Sequence, residues 1–434
     1  MNENFPRPVR KYLAKYSYRR WILEAVKKDK ISAAVIIPAI KEYENIKRLL
    51  QSLSENDSDC LEHSLILFVI NNFVSSEAGV KEENIKTMNY IRSIIMNNKV
   101  NIGLIDASSA GMEMPEKIGG VGLARKVGMD LALTAFDYSY ERKKFLVSLD
   151  ADCTVEKNYL SELFKYFNGS HAGAAVIKYR HGLSGYSGQT AAIICYEIFL
   201  RYYVLALRYS GSPYSFHTIG SAFACDHETY IKAEGMNKRK AAEDFYFLQK
   251  TAKIAGIGRI NSTTVFPASR VSRRVPFGTG VKVSQFKSAE ESYLLYNPAA
   301  FSILKEWLSF FNSSEILDAG HYLSSAKNIS RGLFDFLIQQ NFKKDFRNIL
   351  NNSTTVTQLA RQKFRWFDGF RTLKLIHYLR DNGYPMINMF DALDTFLEWI
   401  NFKDKPLYPK QIIPPLDIQK EYLEILRNLD EKLN

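Results

Sequence analysis

From Ile31 onward, short apolar runs alternate with stretches in which apolar residues recur every three or four positions. That alternation predicts strands followed by helices, and so an α/β domain with a mostly parallel sheet flanked by helices. Residues 33–38 read as the first strand. Pro38 has no N–H to offer a ladder, so the strand ends there and its loop opens at the carboxyl edge of the sheet. Ile46, Leu49, Leu50 and Leu53 fall at helical spacing and predict a helix with one face on that sheet. Residues 65–70 and 100–105 read as the next strands, the former running into Asn71 and Asn72. A loop carrying Gly111, Gly119, Gly120 and Gly122 leads into a helix over about 123–136. Residues 145–149 form a strand ending at Asp150, with a helix near 157–167 and a strand at 174–179 to follow.

After about Pro276 the patterns are helical without strands, at 288–296, 300–311, 334–348, 357–381 and 416–433. The expected organisation is a basic helical segment over 1–30, an α/β domain over 31–280 and an all-helical C-terminal domain over 281–434. Ligands of open α/β sheets bind outside the carboxyl ends of the strands, where Pro38, Asn71 and Asp150 stand.

Apolar residues make up 46% of the chain and charged residues 24%, the balance of a globular protein. No window approaches 18 uninterrupted apolar residues and the N-terminus lacks the apolar core of a signal peptide, so a cytoplasmic protein is expected. Cys60, Cys153, Cys195 and Cys225 lack CxxC or zinc spacing and read as reduced, structural thiols. The net charge of +12 favours anionic ligands or an anionic membrane surface. Within the first thirty residues Arg7, Arg10, Lys11, Lys15, Arg19, Arg20, Lys27, Lys28 and Lys30 face only Glu3, Glu24 and Asp29. Tyr12, Leu13, Tyr16, Trp21, Ile22, Ala25 and Val26 interleave with them, a candidate interfacial helix for peripheral membrane contact. A basic surface helix packed on the main domain accounts for the same pattern.

The chemistry centres on FLVSLDADC at residues 145–153. In extended chain, positions i and i+2 face the same side, so Asp150 and Asp152 could turn both carboxylates to one ligand, such as Mg²⁺ or Mn²⁺ holding a diphosphate. Ordinary turn chemistry is the competing explanation. An EF-hand loop fails, because its sixth position would be Val155 and its twelfth Ser161. A second acidic pair, Glu243–Asp244, stands near the start of a helix, where carboxylates either favour the helix dipole or deprotonate an acceptor hydroxyl. Upstream, Gly220 and Ser221 in TIGSAFACD form a turn before an apolar strand, a candidate floor for an acceptor site.

In order and spacing, VIIPAIKEYENI at 35–46, the Asp150–Asp152 pair and Glu243–Asp244, with GGVGLARKVGMD at 119–130 between the first two, resemble a family 2 glycosyltransferase of the GT-A fold. The resemblance covers about residues 31–280 and implies inverting transfer from a nucleotide-diphosphate sugar to a glycan, lipid-linked or small-molecule acceptor, with a divalent cation. By it, Pro38, Ala39 and Glu42 would hold the base and ribose, with Asn72 beside the base. Asp150 would contact ribose or metal, Asp152 would ligate the metal, Asp244 would be the general base and Glu243 would stand at the acceptor. Asn71–Asn72 departs from the family, in which many members carry an aspartate there.

Two basic clusters are candidates for the diphosphate: Arg125 with Lys126 after the glycines, and Arg270, Arg273 and Arg274 in SRVSRRVPFGTG. Gly119–Gly122 is no Walker loop, since Gly-Lys-Ser/Thr is absent. His171, His181, His217 and His227 lack diagnostic metal spacing. Tyr202, Tyr203, Tyr209 and Tyr214 are spaced as helix core, although stacking on a sugar acceptor would suit them. Phe364, Trp366, Phe367 and Phe370 alternate with Arg361, Lys363, Arg365 and Arg371, but no nucleic-acid recognition motif accompanies them, and an amphipathic helix packed on the catalytic domain is expected. Two other functions compete: a sugar-phosphate nucleotidyltransferase, whose usual glycine-rich loop after the first strand is missing, and a non-catalytic glycan-binding or scaffold protein on the same frame.

Overall fold

The computed structural model describes residues 5–25, 29–95, 100–169, 172–183, 187–239, 242–269, 293–408 and 413–432. The chain divides into two compact units, Met1–Gly182 with Thr218–Ala268, and Leu183–His217 with Ser269–Asn434.

The first unit runs α1 (Arg7–Tyr16), β1 (Glu24–Ala25), β2 (Ala33–Ala39), α2 (Tyr43–Ser54), α3 (Ser58–Glu62), β3 (Ser64–Asn71), α4 (Ala78–Ile95), β4 (Asn101–Ala107), α5 (Val121–Ala132), β5 (Phe145–Ser148), β6 (Thr154–Val155), α6 (Tyr159–Gly169) and β7 (Ala174–Tyr179). After the second unit's α7 (Ser187–Tyr209) it resumes with β8 (Phe223–Asp226), α8 (His227–Lys232), α9 (Glu243–Ala255) and β9 (Gly258–Phe266). The strands order as β1-β4-β3-β2-β5-β8-β7-β9-β6. The block β4-β3-β2-β5 is parallel, whereas β8 runs antiparallel to both β5 and β7.

Every residue of β2 and β3 is buried, as continuous apolar runs require when helices cover both faces. Pro38 continues the strand instead of ending it. The Ile36 carbonyl accepts from the Leu149 N–H at 3.1 Å, and by strand alternation the Pro38 nitrogen faces the same side, beyond the last β5 pair, Ile36–Ser148. The missing N–H therefore costs no ladder bond, and pairing with β3 carries on to Ala39. Gly128 of α5 lies over this block: a Cβ there would come within 2.6 Å of Ile36 and 2.9 Å of Val69, so glycine lets the helix settle onto the sheet.

The N-terminal helix packs on this unit, while Ile22 beyond it is 67% exposed. Val9, Tyr12, Leu13 and Trp21 are buried, and the Tyr12 hydroxyl donates to Asp130 at 2.7 Å. Arg7, Lys11, Lys15, Arg19 and Arg20 stay exposed.

The second unit holds α7, β10 (Leu294–Leu295), α10 (Pro298–Phe311), α11 (Ala319–Ile329), α12 (Arg331–Gln339), α13 (Phe342–Asn351), α14 (Val356–Trp366), α15 (Gly369–Asp381), β11 (Ile387–Asn388), α16 (Met389–Trp399) and α17 (Leu416–Lys432). Three expectations change here. A short antiparallel pair, β10–β11, stands in a region read as strandless. The patterns at 334–348 and 357–381 each break into two helices, the first at Asn341, whose φ is 56°, and the second at Asp368, which caps α15 by accepting from the Arg371 N–H at 2.9 Å. Finally α7, read from sequence within the α/β segment, belongs to the helical unit, where Ile194, Ile198, Tyr202 and Leu205 join its core.

Thr190–Tyr209 is long and apolar enough to cross a membrane, yet most of it is buried in that core. On the same helix Glu197 pairs with Arg201 and Arg427, both at 2.8 Å, while Asp430 takes Arg201 and His217, both at 2.7 Å. His217 is thereby a structural partner of Asp430. Trp366 and Phe367 are buried in the same core, and Phe364 stacks on Tyr214 at 5.0 Å, so the aromatic-basic segment packs within the helical unit.

Candidate functional site

The site forms where β5 ends. The Cys153 N–H donates to the Asp150 carbonyl at 3.1 Å, closing a turn with Asp150 first and Asp152 third. The two aspartates therefore stand on a turn and not on extended chain, and the same-face argument from strand alternation does not apply to them. Both are part-exposed.

Arg125 reaches this turn from α5. Its Nη2 donates to Asp150 Oδ1 at 2.5 Å and its Nη1 to Glu243 Oε1. The guanidinium is buried at 3% exposure, so its fork binds two protein carboxylates and is not presented to a diphosphate. Gly220 packs against it: a Cβ there would lie 2.5 Å from Nη2. Gly122 does the same for the other partner, since a Cβ would meet the Arg239 carbonyl at 2.5 Å and the Glu243 side chain at 3.1 Å. Two glycines thus give Arg125 and Glu243 the space to meet.

Asp244 follows Glu243 in the first turn of α9, half-exposed, with Oδ1 accepting the Phe245 N–H at 2.7 Å. Ala242, just before, holds a left-handed backbone with φ 56°, a conformation that costs a non-glycine residue about 1–3 kcal/mol. Its desolvated position and the adjacent Glu243 charge push the Asp244 carboxyl up to about 7, against the opposing pull of Arg125. A carboxylate titrating there is poised to accept a proton near neutrality.

The other expected positions differ in what holds them. Pro38 and Ala39 lie in β2, and Glu42 is buried ahead of α2, where its carboxylate accepts from Asn45. Asn72 is only 1% exposed; its Nδ2 donates to the Ser108 and Phe73 carbonyls and its Oδ1 accepts from Asn84, so its side chain is spent on the scaffold and not turned to a base. Glu243 and Ser221 are buried, and Glu243 serves Arg125 instead of facing an acceptor. Lys126 is likewise committed, its Nζ 2.9 Å from Asp130 Oδ2 and 3.1 Å from the Tyr12 hydroxyl. Arg270, Arg273, Arg274 and His171 lie outside the described residues.

The turn supplies two carboxylates, one of them already paired with Arg125, as the protein's share of any divalent-cation site. Among the described residues the three-ligand cluster is Asp57, Asp59 and Cys60, but Asp57 caps α3 by accepting the Cys60 N–H at 3.0 Å, and burial pushes the Cys60 thiol up to about 12. Asp150 and Asp152 belong to no such cluster. Two hard carboxylates suit Mg²⁺ or Mn²⁺ that takes its other ligands from phosphate oxygens and water, not a resident ion caged by protein.

Sequence reading found the carboxylates but not their organiser. Arg125 looked like a phosphate ligand because an arginine after glycines carries no sign of whether it will be buried. Asn84, buried in α4, left no signal, since one amide in EENIKTMN does not disturb the helical pattern.

No protein-family model matches the chain, and no protein of curated function does. Among solved structures it is similar to residues 1–349 of TarS from S. aureus, with 14% identity, 88% of this chain and 94% of that chain covered, and a TM-score of 0.38. It is also similar to the mannosyltransferase PcManGT from Pyrobaculum calidifontis in complex with GDP-Man and Mn²⁺, at 13% identity, 98% and 92% coverage and a TM-score of 0.39. A third is glucosyl-3-phosphoglycerate synthase from Mycobacterium tuberculosis with UDP, at 14% identity, 64% and 81% coverage and a TM-score of 0.35.

Proposed function

We propose that this protein is an inverting glycosyltransferase of the family 2 type on a GT-A frame, moving a sugar from a nucleotide-diphosphate donor to an acceptor hydroxyl. The observation that carries the reading is the acidic site at the carboxyl end of the parallel block, where Arg125 joins Asp150 to Glu243, and where burial and the Glu243 charge push the adjacent Asp244 carboxyl up to about 7. Asp244 takes the proton of the acceptor hydroxyl as that oxygen attacks the anomeric carbon from the face opposite the diphosphate, which leaves with the electron pair of the broken bond. Asp152 and Asp150 would hold a divalent cation, Mg²⁺ or Mn²⁺, which would offset the charge developing on the leaving diphosphate. Arg125 fixes Asp150 and keeps Glu243 buried behind the base.

The acceptor is a glycan, a lipid-linked saccharide or a small molecule, and no nucleic acid is involved. Any contact with an anionic membrane would use the exposed cations of α1 together with Ile22, which is 67% exposed.

The test is calorimetry of UDP- and GDP-sugars with Mn²⁺, followed by turnover. Asp152→Asn is expected to lose cation-dependent donor binding, whereas Asp244→Asn keeps binding and loses transfer. Equal donor affinity in wild type and Asp152→Asn sinks the cation assignment. Release of pyrophosphate from a nucleoside triphosphate and a sugar phosphate would make the protein a nucleotidyltransferase, and donor binding without turnover would make it a glycan-binding scaffold.

A further inference from the structure

The loop after β2 is clamped from α4 by two residues that the reaction itself does not use. Asn84, 1% exposed, accepts the Lys41 N–H on Oδ1 at 2.9 Å. Its Nδ2 donates to the Asn71 carbonyl at 3.0 Å and to Asn72 Oδ1 at 2.9 Å, and Asn72 in turn donates to the Ser108 carbonyl at 3.2 Å. One amide thus ties the β2 loop to the ends of β3 and β4. Its neighbour Glu83 accepts the Tyr43 N–H at 3.3 Å, so the backbone is held on either side of Glu42. Lys41 itself sits in the left-handed region at φ 55°, which a non-glycine residue adopts only where the surroundings over-determine it. The bond to Asn84 is such a determinant.

We infer that Asn84, assisted by Glu83, is the positioning residue of the donor loop: it preforms residues 40–42 for the nucleotide part of the donor. This rests on the glycosyl-transfer reading above and on the resemblance that implies Pro38, Ala39 and Glu42 hold the base and ribose. A loop ordered before binding spares the ligand the cost of ordering it, so the clamp acts on nucleotide affinity and not on the chemical step. Asn84 touches no reacting atom, and its effect passes through the backbone at Lys41.

The experiment measures amide hydrogen exchange over residues 40–43, calorimetric affinity for UDP and GDP with Mn²⁺, and kcat against donor KM. In Asn84→Ala the segment is expected to exchange about tenfold faster and the better of the two nucleotides to bind about tenfold more weakly, with kcat within about threefold of wild type. Glu83→Ala, at a half-exposed position where unfolding is not a concern, is expected to show the same changes at smaller size. Glu83→Gln keeps an acceptor oxygen and is expected to restore wild-type values. Unchanged exchange overturns the clamp. Faster exchange with unchanged nucleotide affinity, or a collapse of kcat at intact affinity, overturns its link to the donor. Wild-type protein that binds neither nucleotide overturns the glycosyl-transfer reading and the donor role with it, while the exchange measurement still decides whether Asn84 holds the loop.

Discussion

Arg125 and Lys126 are consecutive on α5, both buried, and each enters an ion cluster, but the two clusters differ in charge balance. Lys126 faces one carboxylate, Asp130, whose Oδ1 also accepts the hydroxyls of Tyr12 and Tyr230, both at 2.7 Å. One cation meets one anion, every strong acceptor is used, and the cluster pins α1 and α8 to α5. Arg125 faces two carboxylates with a third, Asp244, beside them. Burial pushes both the Asp130 and the Asp244 carboxyl up, but Asp130 is opposed by Lys126 and two hydroxyls, whereas at Asp244 the neighbouring Glu243 charge adds to burial against the single guanidinium and brings it up to about 7. A balanced buried cluster is complete in itself and structural; under the proposed function, the acidic surplus at Asp244 exchanges a proton with the acceptor.

Neutralising one acid in each cluster separates the two roles most strongly. Asp244→Asn is expected to lower kcat by about 10²–10⁴-fold while donor affinity stays, whereas Asp130→Asn leaves kcat within about threefold and lowers the melting temperature. Similar kinetic losses in both variants would erase the distinction. Next in size, Arg125→Met strands Glu243 in the interior and is expected to cost about 3–5 kcal/mol in denaturant unfolding. The acidic limb of its pH–rate profile is expected to move upward, because the cation that opposes protonation of Asp244 is gone. Lys126→Met is expected to lose stability with no shift of that limb.

The wild-type pH profile comes third. A base must be ionised, so kcat/KM is expected to fall about tenfold per unit as the pH drops below about 7. Stability follows the opposite sign. The folded carboxyl binds its proton more tightly than the unfolded chain does, so its contribution is fully present below the ordinary aspartate range, near 4, and is lost as pH rises through about 7. Asp244→Asn is expected to flatten that loss in urea titrations across pH 4–8. The smallest effect is at Tyr12→Phe, which removes one donor from Asp130 and is expected to cost about 1 kcal/mol without changing kcat.

Much of the frame could be read from the pattern of the chain. The strands at 33–38, 65–70 and 174–179 were legible because a strand buried on both faces is a nearly continuous apolar run, and the position of Asp150 at a strand end followed from the same pattern. The turn at Asp150–Cys153 was not, because Asp-Ala-Asp suits a turn and an extended end equally. The membership of α7 was illegible for another reason: an apolar helix looks the same whichever core receives it, and only packing with Phe301, Leu304 and Phe396 assigns it. Arg270, Arg273 and Arg274 lie beyond the described residues, so the second basic cluster stays an expectation from sequence.

Periodicity is a local property of neighbouring residues, so the chain's pattern was enough to say where strand gives way to helix and which acids stand at their ends. What each charge pairs with became visible in the fold alone. Arg125, Lys126, Glu243 and Asn72 are all polar residues near the expected site. Whether each faces a ligand or another buried side chain depends on partners more than ten residues away in the chain, such as Asp150, Tyr12 and Asn84, which the fold brings within hydrogen-bonding distance.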